Sequence, residues 1–195
     1  MAITKVTDKN TDKRQAILDA SLKLFCTKCF QDTSTASISN EAKVATGTLF
    51  LYFESKEELV NELYLECKGE FAAYMEAGVW DKPSFKTQLK HVWERGTEWC
   101  IQNPEKIQFM TQFSSSPYIT KQTREKAVSR FGLMNEVIKR AVANEEVTPS
   151  SVELLSCLLG GYFHNARMFL LDNAHNKNFK KWQEEVFDYI WRGLN

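Results

Sequence analysis

The chain has 195 residues, of which 43% are hydrophobic and 26% charged, with 25 basic and 25 acidic side chains. A chain of this length can bury a real core, as one large domain or two modest ones. The zero formal net charge excludes a global attraction to nucleic acid or anionic lipid. The longest apolar-rich run, LLSCLLGGYF, is far shorter than the roughly 18–20 residues that span a bilayer, so we expect no membrane partner.

The N-terminal stretch MAITKVTDKNTDKR is polar and lacks the apolar core of a signal peptide. The five cysteines are odd in number and scattered along the chain, which is not the pattern of a disulfide framework. We therefore expect a reduced, cytoplasmic protein.

Apolar residues recur at helical spacing from the N-terminus onward. In TDKRQAILDASLKLF the apolar positions between Ile17 and Phe25 share one face of a first helix. The stretch TSTASISNEA then predicts a second, two-turn helix, which Ser34 or Thr35 caps and which turns Ile38 toward the core.

The next stretch, TGTLFLYF, fits either a buried strand or a third short helix. A lone strand would have no partner, because no Val/Ile/Thr alternation of useful length occurs elsewhere in the chain. As a helix, the stretch turns Leu49 and Phe53 inward, four residues apart. Two short helices joined by a tight turn form a helix-turn-helix, whose second helix can enter a DNA major groove. Four side chains then occupy the other faces of that helix: Thr46, Thr48, Phe50 and Tyr52.

Six longer helices are predicted after this motif, which makes the chain all-α with about nine helices. Ser55 and Glu58 have the spacing of a capping box at the start of the first of them. Thr148 and Pro149 are residue types that begin a helix. The six segments are Glu54–Gly78, Ser84–Ile101, Asn103–Phe113, Ile119–Ala143, Thr148–Asn173 and Asn178–Leu194.

The stretch SISNEAKVATGTLFLYFESKEELV resembles the DNA-binding signature of the tetracycline-repressor (TetR) family. The resemblance covers Lys13 to Leu63, and the GTLFLYF form is most similar to regulators of multidrug efflux pumps within that family. It implies a DNA-binding transcriptional repressor without enzymatic activity, which binds a palindromic operator as a dimer and is released by a small molecule. The matching positions are Ile38, Ala42, Val44, Gly47, Thr48, Leu49, Tyr52, Phe53, Lys56 and Glu57.

Three positions depart from the family pattern. Lys43 stands where a turn glycine is usual, and a left-handed lysine costs on the order of 1 kcal/mol, so either that strain is tolerated or the turn has a different geometry. Cys29 stands where a glycine usually ends the first helix, with the same expected strain, and Ser39 replaces an alanine. These departures concern local geometry and remove no DNA-contacting position.

The charge distribution gives modest support to the hypothesis that the chain binds DNA. Residues 1–53 carry seven basic and five acidic side chains, a balance of +2, and the helix-turn-helix contains no arginine for the commonest guanine contact. Lys56 lies in the first turn of its helix, where the helix dipole disfavours a cation, so a phosphate partner would explain it. The predicted DNA-binding residues are Thr35, Lys43, Ala45, Thr46, Gly47, Thr48, Phe50, Tyr52 and Lys56.

Other chemistry has weaker support in the sequence. The pair Cys26 and Cys29 has the spacing of half a zinc site, but no second pair completes it, so we expect two buried or half-buried thiols and no metal. His164 lies in an apolar helix, where a core histidine is the ordinary interpretation. An enzyme and a protein-binding helical adaptor remain the alternatives, and specific, salt-sensitive binding of duplex DNA would separate the repressor from both.

The part of the chain after Tyr64 is rich in aromatic residues with polar side chains threaded among them, a combination typical of ligand pockets as well as of cores. By resemblance, the effector cavity lies here, and we expect no cofactor but a small aromatic or amphipathic ligand. We expect Arg167 to hold a polar or anionic group of the ligand, unless it pairs with Glu66 or Asp172. The predicted ligand-binding residues are Tyr64, Trp93, Phe109, Phe113, His164, Arg167, Met168 and Phe169.

The predicted organisation has two domains. Residues 1–54 form the DNA-binding domain, and residues 55–195 form the effector-binding and dimerisation domain. The last two helices are apolar on more than one face, and Gly160 and Gly161 would allow another helix to approach closely, although room for a ligand is an alternative. We therefore expect a homodimer that pairs these helices as a four-helix bundle.

Overall fold

The computed structural model describes residues 9–148 and 151–194, and these ranges contain helices and no strand. This confirms the all-α prediction. None of the described helices is long and apolar enough to cross a membrane. The α-helices are α1 (Lys9–Thr27), α2 (Thr35–Glu41), α3 (Thr46–Phe50), α4 (Lys56–Glu76), α5 (Phe85–Gln102), α6 (Pro104–Phe113), α7 (Lys121–Ser129), α8 (Gly132–Ala143), α9 (Val152–Asp172) and α10 (Phe179–Gly193), with a 3-10 turn at Val79–Asp81.

The chain divides into two compact units, each built from two separate segments. The first contains the chain up to Lys68 together with Glu105–Ala127, and the second contains Gly69–Pro104 and the chain from Val128 onward. This packing division differs from the predicted boundary at residues 54 and 55, because the first part of α4 and most of α6 pack with the N-terminal helices. The predicted functional division stays a prediction.

The first unit has an aromatic core. The Phe25 ring lies 5.6 Å from that of Phe113, and Phe109 and Phe113 have ring centroids 4.7 Å apart. Tyr64 of α4 joins the cluster at 6.5 Å from Phe109. Phe25 and Phe113, 88 positions apart in sequence, therefore share one core, which local periodicity cannot indicate.

One predicted helix is two helices in the structure. The segment Ile119–Ala143 was predicted as a single helix, but α7 ends at Ser129 and α8 begins at Gly132. Phe131 leaves the helical conformation between them (φ −94°, ψ 32°), and its ring packs edge-on against Phe71 at 6.1 Å. This break raises the number of α-helices in the described ranges from the predicted nine to ten.

Three helix starts test the predicted caps. Ser34 caps α2, accepting a hydrogen bond from the backbone N–H of Ser37 at 3.1 Å. Ser55 accepts from the N–H of Glu58 at 3.0 Å, but the Glu58 carboxylate accepts from the N–H of Glu54 rather than closing the box on Ser55. Ser151, and not Thr148, caps α9, and the predicted start at Pro149 lies outside the described residues.

The turn between α2 and α3 contains the strained residue that the sequence indicated. Lys43 has φ +55°, in the left-handed region that favours glycine, and its N–H donates to the carbonyl of Asn40 at 3.1 Å. Of the non-glycine residues described, only Lys43 and Glu145 have a positive φ. Cys29 therefore does not, and the expected strain at the end of α1 is wrong because that helix ends without a left-handed residue.

We expect Lys43→Gly to raise the free energy of unfolding by up to about 1 kcal/mol, because glycine adopts a left-handed conformation without the Cβ clash. Lys43→Ala is the matched control, since it removes the same side chain but keeps the strain. Urea unfolding monitored by circular dichroism measures both. Equal midpoints for the two variants would contradict the assigned backbone strain.

Candidate DNA-binding and ligand-binding sites

The helix-turn-helix exposes one set of side chains and buries another. Leu49 and Phe53 are buried, as predicted, and α2 packs against both α1 and α3. Phe50 is 48% exposed, and Thr46 and Gly47 are also exposed. The exposed face of α3 is therefore available to a partner, and its composition is hydroxyl, glycine and aromatic.

The remaining predicted DNA-binding residues flank this face. Lys43 and Ala45 are exposed, whereas Thr35, Thr48 and Tyr52 are half-buried. Leu51, which sequence reasoning did not select, is 82% exposed. Its position between two inward-facing residues, Leu49 and Phe53, is the signal that predicts this exposure. The exposure of these residues does not test whether they contact DNA, so the predicted set of DNA-binding residues stays a prediction.

Gly47 has no structural requirement for glycine inside the protein. A Cβ atom added there would meet no atom within 4 Å, and its φ is not in the left-handed region. A helical glycine is less stable than alanine by roughly 0.5–1 kcal/mol. Packing within the chain therefore does not explain this glycine, and its open surroundings leave room for a partner to approach the α3 backbone.

Lys56 is already engaged within the first unit. Its Nζ donates hydrogen bonds to the carbonyl oxygens of Phe30 (2.7 Å) and Thr33 (2.9 Å), and it lies 4.1 Å from the centre of the Phe30 ring. These bonds use two of the three ammonium hydrogens. Lys56 therefore ties the start of α4 to the segment between α1 and α2. The predicted phosphate contact stays a prediction, with one hydrogen remaining for it.

A second connection joins the same segment to the stretch before α7. The ring of Phe30 stacks on that of Tyr118 with centroids 3.8 Å apart. Asn61 of α4 donates to the Tyr118 carbonyl at 2.8 Å and accepts from the Thr120 N–H at 3.0 Å. Sequence reasoning missed Asn61, because this position lies off the apolar stripe that contains Leu59 and Leu63.

The predicted ligand-binding residues belong to two different units. Tyr64, Phe109 and Phe113 are buried in the aromatic core of the first unit, and burial raises the pKa of the Tyr64 hydroxyl. Five others belong to the second unit: Trp93, His164, Arg167, Met168 and Phe169.

Within the second unit, the predicted residues have different environments. Trp93 is fully buried and stacks on Phe163 at 5.0 Å, while Phe169 is half exposed and packs against Trp182 at 5.3 Å. His164 is exposed, so its interpretation as a core histidine is wrong: α9 turns this position away from the buried face that contains Phe163.

Arg167 is the buried cation of the second unit. Its Nη2 donates to the carbonyl of Val92 at 3.3 Å, and its Nε is buried without a hydrogen-bond partner in the described part of the chain. The alternative pairing with Glu66 is not seen, because Glu66 accepts from Arg14 at 3.1 Å in the first unit. Gly96, which sequence reasoning also missed, provides the room for the guanidinium on α5.

A small pocket of about 130 Å³ lies between α5 and α10. Its volume is below the roughly 300–1,000 Å³ that is typical of small-molecule sites. Trp93 is the residue that it shares with the predicted ligand-binding set. Its lining is Lys90, Trp93, Glu94, Lys180, Gln183, Glu184 and Phe187.

The cysteine pair has no metal-site geometry in the described residues, where no group of three or more potential ligands occurs. The Cys26 thiol donates to the Glu105 carbonyl at 3.2 Å, and burial raises its pKa to about 11, so it is a neutral thiol at physiological pH. Cys29 is exposed and not buried or half-buried as expected, because it follows the end of α1.

Comparison with known proteins places this geometry among bacterial regulators. The family model described as "Bacterial regulatory proteins, tetR family" matches residues 17–63. A crystal structure from Shewanella sp. PV-4, assigned to the tetR family of transcription regulators, is 33% identical with a TM-score of 0.86. The match covers 93% of this chain and 97% of that one.

Two further matches involve Bacillus subtilis. The fatty acid metabolism regulator protein is 31% identical over 77 residues, which is 40% of each chain. The aligned part of the chain thus covers less than half the length of this curated relative. The structure of the transcriptional regulator FadR in complex with stearoyl-CoA has a TM-score of 0.78 at 18% identity, covering 93% of this chain and 99% of that one. This second likeness is evidence for the fold alone.

We expect Lys56→Met to lower the free energy of unfolding by about 1–2 kcal/mol, because two charge-assisted hydrogen bonds to backbone carbonyls are lost. Lys28→Met is the control, since Lys28 is exposed in the neighbouring segment and its loss should change stability by less than about 0.5 kcal/mol. Chemical denaturation of both variants provides the measurement. If the Lys56 variant unfolds at the wild-type midpoint, the ammonium is not held in place and is free to bind elsewhere.

Proposed function

The chain belongs to the tetR family of bacterial regulatory proteins, and we propose on this basis that it is a repressor that binds a palindromic operator as a homodimer and is released by a small molecule. The observation that carries the proposal is the helix-turn-helix in which α3 exposes Thr46, Gly47 and Phe50 above a buried Leu49. This is the arrangement in which a second helix can enter the major groove.

The proposed operator contact is made by a largely uncharged helix face. Hydroxyl groups such as that of Thr46 can bond to phosphate or base edges, and an exposed aromatic ring such as that of Phe50 can contact thymine methyl groups. Lys43 supplies a cation beside this face. The open space around Gly47 supports a close approach of the α3 backbone to the DNA.

The proposed dimer interface lies on α9 and α10. Leu154, Leu158 and Tyr162 are exposed at intervals of four residues, which places them on one face of α9. Gly160 and Gly161 have no atom within 4 Å of an added Cβ, so packing within the chain does not explain them. Close approach of the same helix from a second copy explains both the apolar stripe and the glycines.

The proposed effector is amphipathic rather than a flat aromatic molecule that stacks on Trp93 and Phe169. Both rings already have partners, since Trp93 stacks on Phe163 and Phe169 packs on Trp182. The complex of the similar FadR with stearoyl-CoA supports an effector with an apolar chain and an anionic head. The relation to multidrug efflux regulators stays a prediction.

Selection of duplexes from random-sequence DNA should enrich a palindrome whose half-sites lie one helical turn apart or a multiple of it. Gly47→Ala should then weaken binding to the selected duplex roughly tenfold, about 1.4 kcal/mol, because a methyl group enters the interface. Fluorescence anisotropy measures this affinity. Gly132→Ala is the control, as Gly132 begins α8 in equally open space and should leave DNA binding unchanged.

Enrichment of no sequence would contradict the repressor proposal. Enrichment with unchanged affinity of Gly47→Ala would contradict only the close approach of the α3 backbone. Because alanine is the better helix former, weaker binding by this variant does not arise from unfolding.

We expect Leu158→Glu to convert the dimer to a monomer at micromolar concentration, because it places two like charges in an apolar interface. Light scattering measures the mass of the particle. Val128→Glu is the control, since Val128 is exposed on α7, which is not one of the proposed interface helices, and its substitution should leave the dimer intact. A wild-type monomer, or a dimeric Leu158→Glu variant, would place the interface elsewhere.

A further inference from the structure

Arg167 combines deep burial with unused hydrogen-bonding capacity. Its side chain projects from α9 and is only 7% exposed, yet its guanidinium carries five N–H donors. Nη2 donates to the Val92 carbonyl and lies 3.6 Å from the Met75 sulfur, a weak acceptor. Nε has no partner, and no carboxylate pairs with Arg167 in the part of the chain that the structure describes. An uncompensated buried charge of this kind is unfavourable.

The surroundings of the guanidinium favour a cation but do not satisfy its donors. The rings of Phe71, Trp93 and Phe163 lie 5.3–5.4 Å from Cζ, within the range of cation–π contacts. Such contacts use the charge and leave the in-plane N–H groups available. The enclosure thus stabilises the charge of the guanidinium and leaves its Nε without an acceptor.

Helix α5 is adapted to this side chain at Gly96. A Cβ atom at that position would lie 2.3 Å from Arg167 Nη2 and 2.7 Å from both Arg167 Cζ and Met75 Sδ, so the ends of these two side chains would have to shift. Gly96 is also buried within α5, where glycine is unfavourable relative to alanine. Two features that lower the stability of the second unit, a buried charge and a helical glycine, therefore lie next to each other.

A purely structural role does not account for these costs. An apolar residue of similar size would fill the same space without an unpaired donor, and such replacements of buried ions are often neutral or stabilising. Burial lowers the pKa of Arg167 to about 10, so the group still carries its full charge at neutral pH. The charge is thus retained at neutral pH although its Nε has no acceptor in the described part of the chain.

We propose that Arg167 is the anchor for an anionic effector, a carboxylate or phosphate on an apolar chain, which accepts hydrogen bonds from the free edge of the guanidinium. This inference rests on the proposed regulatory function and names the class of molecule that would release the DNA. A carboxylate or phosphate oxygen is the acceptor that matches a guanidinium in both charge and geometry.

The closed state of the site supplies a mechanism for release. Because Nε is inaccessible, an anion reaches it only when the helices that carry Met75, Gly96 and Arg167 separate. A ligand that binds the separated arrangement and not the closed one shifts the equilibrium between them. The anion thus acts on the positions of α4, α5 and α9 within the second unit, which is the kind of change that an effector has to produce.

The test compares an anion with its neutral analogue on the full-length dimer. Binding of decanoate and 1-decanol is measured by tryptophan fluorescence and calorimetry, and release of the selected duplex is measured by anisotropy. We expect at least tenfold tighter binding of decanoate. Arg167→Met should remove this difference while its unfolding temperature stays equal or rises. Arg95→Met is the matched control, because Arg95 of α5 packs on the Tyr74 ring and should not affect the preference.

The source of the anion is distinguished by decanoyl-CoA, with free coenzyme A as its control. Binding of decanoate indicates a carboxylate effector, and binding of decanoyl-CoA alone indicates the phosphates. Arg167→Lys, which keeps the charge but loses the planar fork, should bind either anion with intermediate affinity and serves if the Met variant does not fold.

Equal binding of anion and alcohol by the wild type, or an unchanged anion preference in Arg167→Met, would overturn the proposal. Failure of the wild type to bind any duplex would instead contradict the repressor function, while a charge-dependent affinity for decanoate would still support the site. The two failures are therefore separable in one set of measurements.

Discussion

The burial of Leu49 and Phe53 is the constraint on which the candidate DNA-binding surface depends. With Leu49 in the core, the 3.6-residue repeat leaves Gly47, Phe50 and Leu51 facing outward. The turn before α3 has to deliver the chain in this orientation, and it does so through a left-handed Lys43. Local strain is accepted there because the alternative would be to expose the apolar side of α3.

The first unit is more than a helix-turn-helix. Lys56 holds two carbonyls of the segment before α2, and the Phe30–Tyr118 stack and Asn61 attach the stretch before α7 to the same place. The helices that present the candidate DNA-binding face therefore share a core with α6, and the start of α4 is hydrogen-bonded to the stretch before α7. A movement of α6 or α7 within this unit would therefore displace the segment between α1 and α2.

The second unit contains a different feature, a buried charge that no carboxylate of the described residues pairs with and whose Nε has no acceptor. The ammonium group of Lys56 donates hydrogen bonds to carbonyl oxygens. The charge of Arg167 lies over aromatic rings, and its Nε has no hydrogen-bond partner. Satisfied networks stabilise a single arrangement, and partly satisfied ones leave a group available for another molecule. This difference separates the residue that supports the fold from the residue that we assign to the effector.

The sequence by itself determined most of the helices, the helix-turn-helix and the inward direction of Leu49 and Phe53, because these depend on periodicity within a few residues. The structure decided that Lys43 adopts the left-handed conformation, which the sequence had left open. Only the tertiary structure decided where the long predicted helix breaks at Phe131, how α4 is shared between the two units, and which groups surround Lys56 and Arg167. These outcomes depend on contacts between residues far apart in the chain, such as Phe71 with Phe131 and Arg167 with Val92. No local pattern encodes such pairings, because each requires that both segments be folded before either partner can be identified.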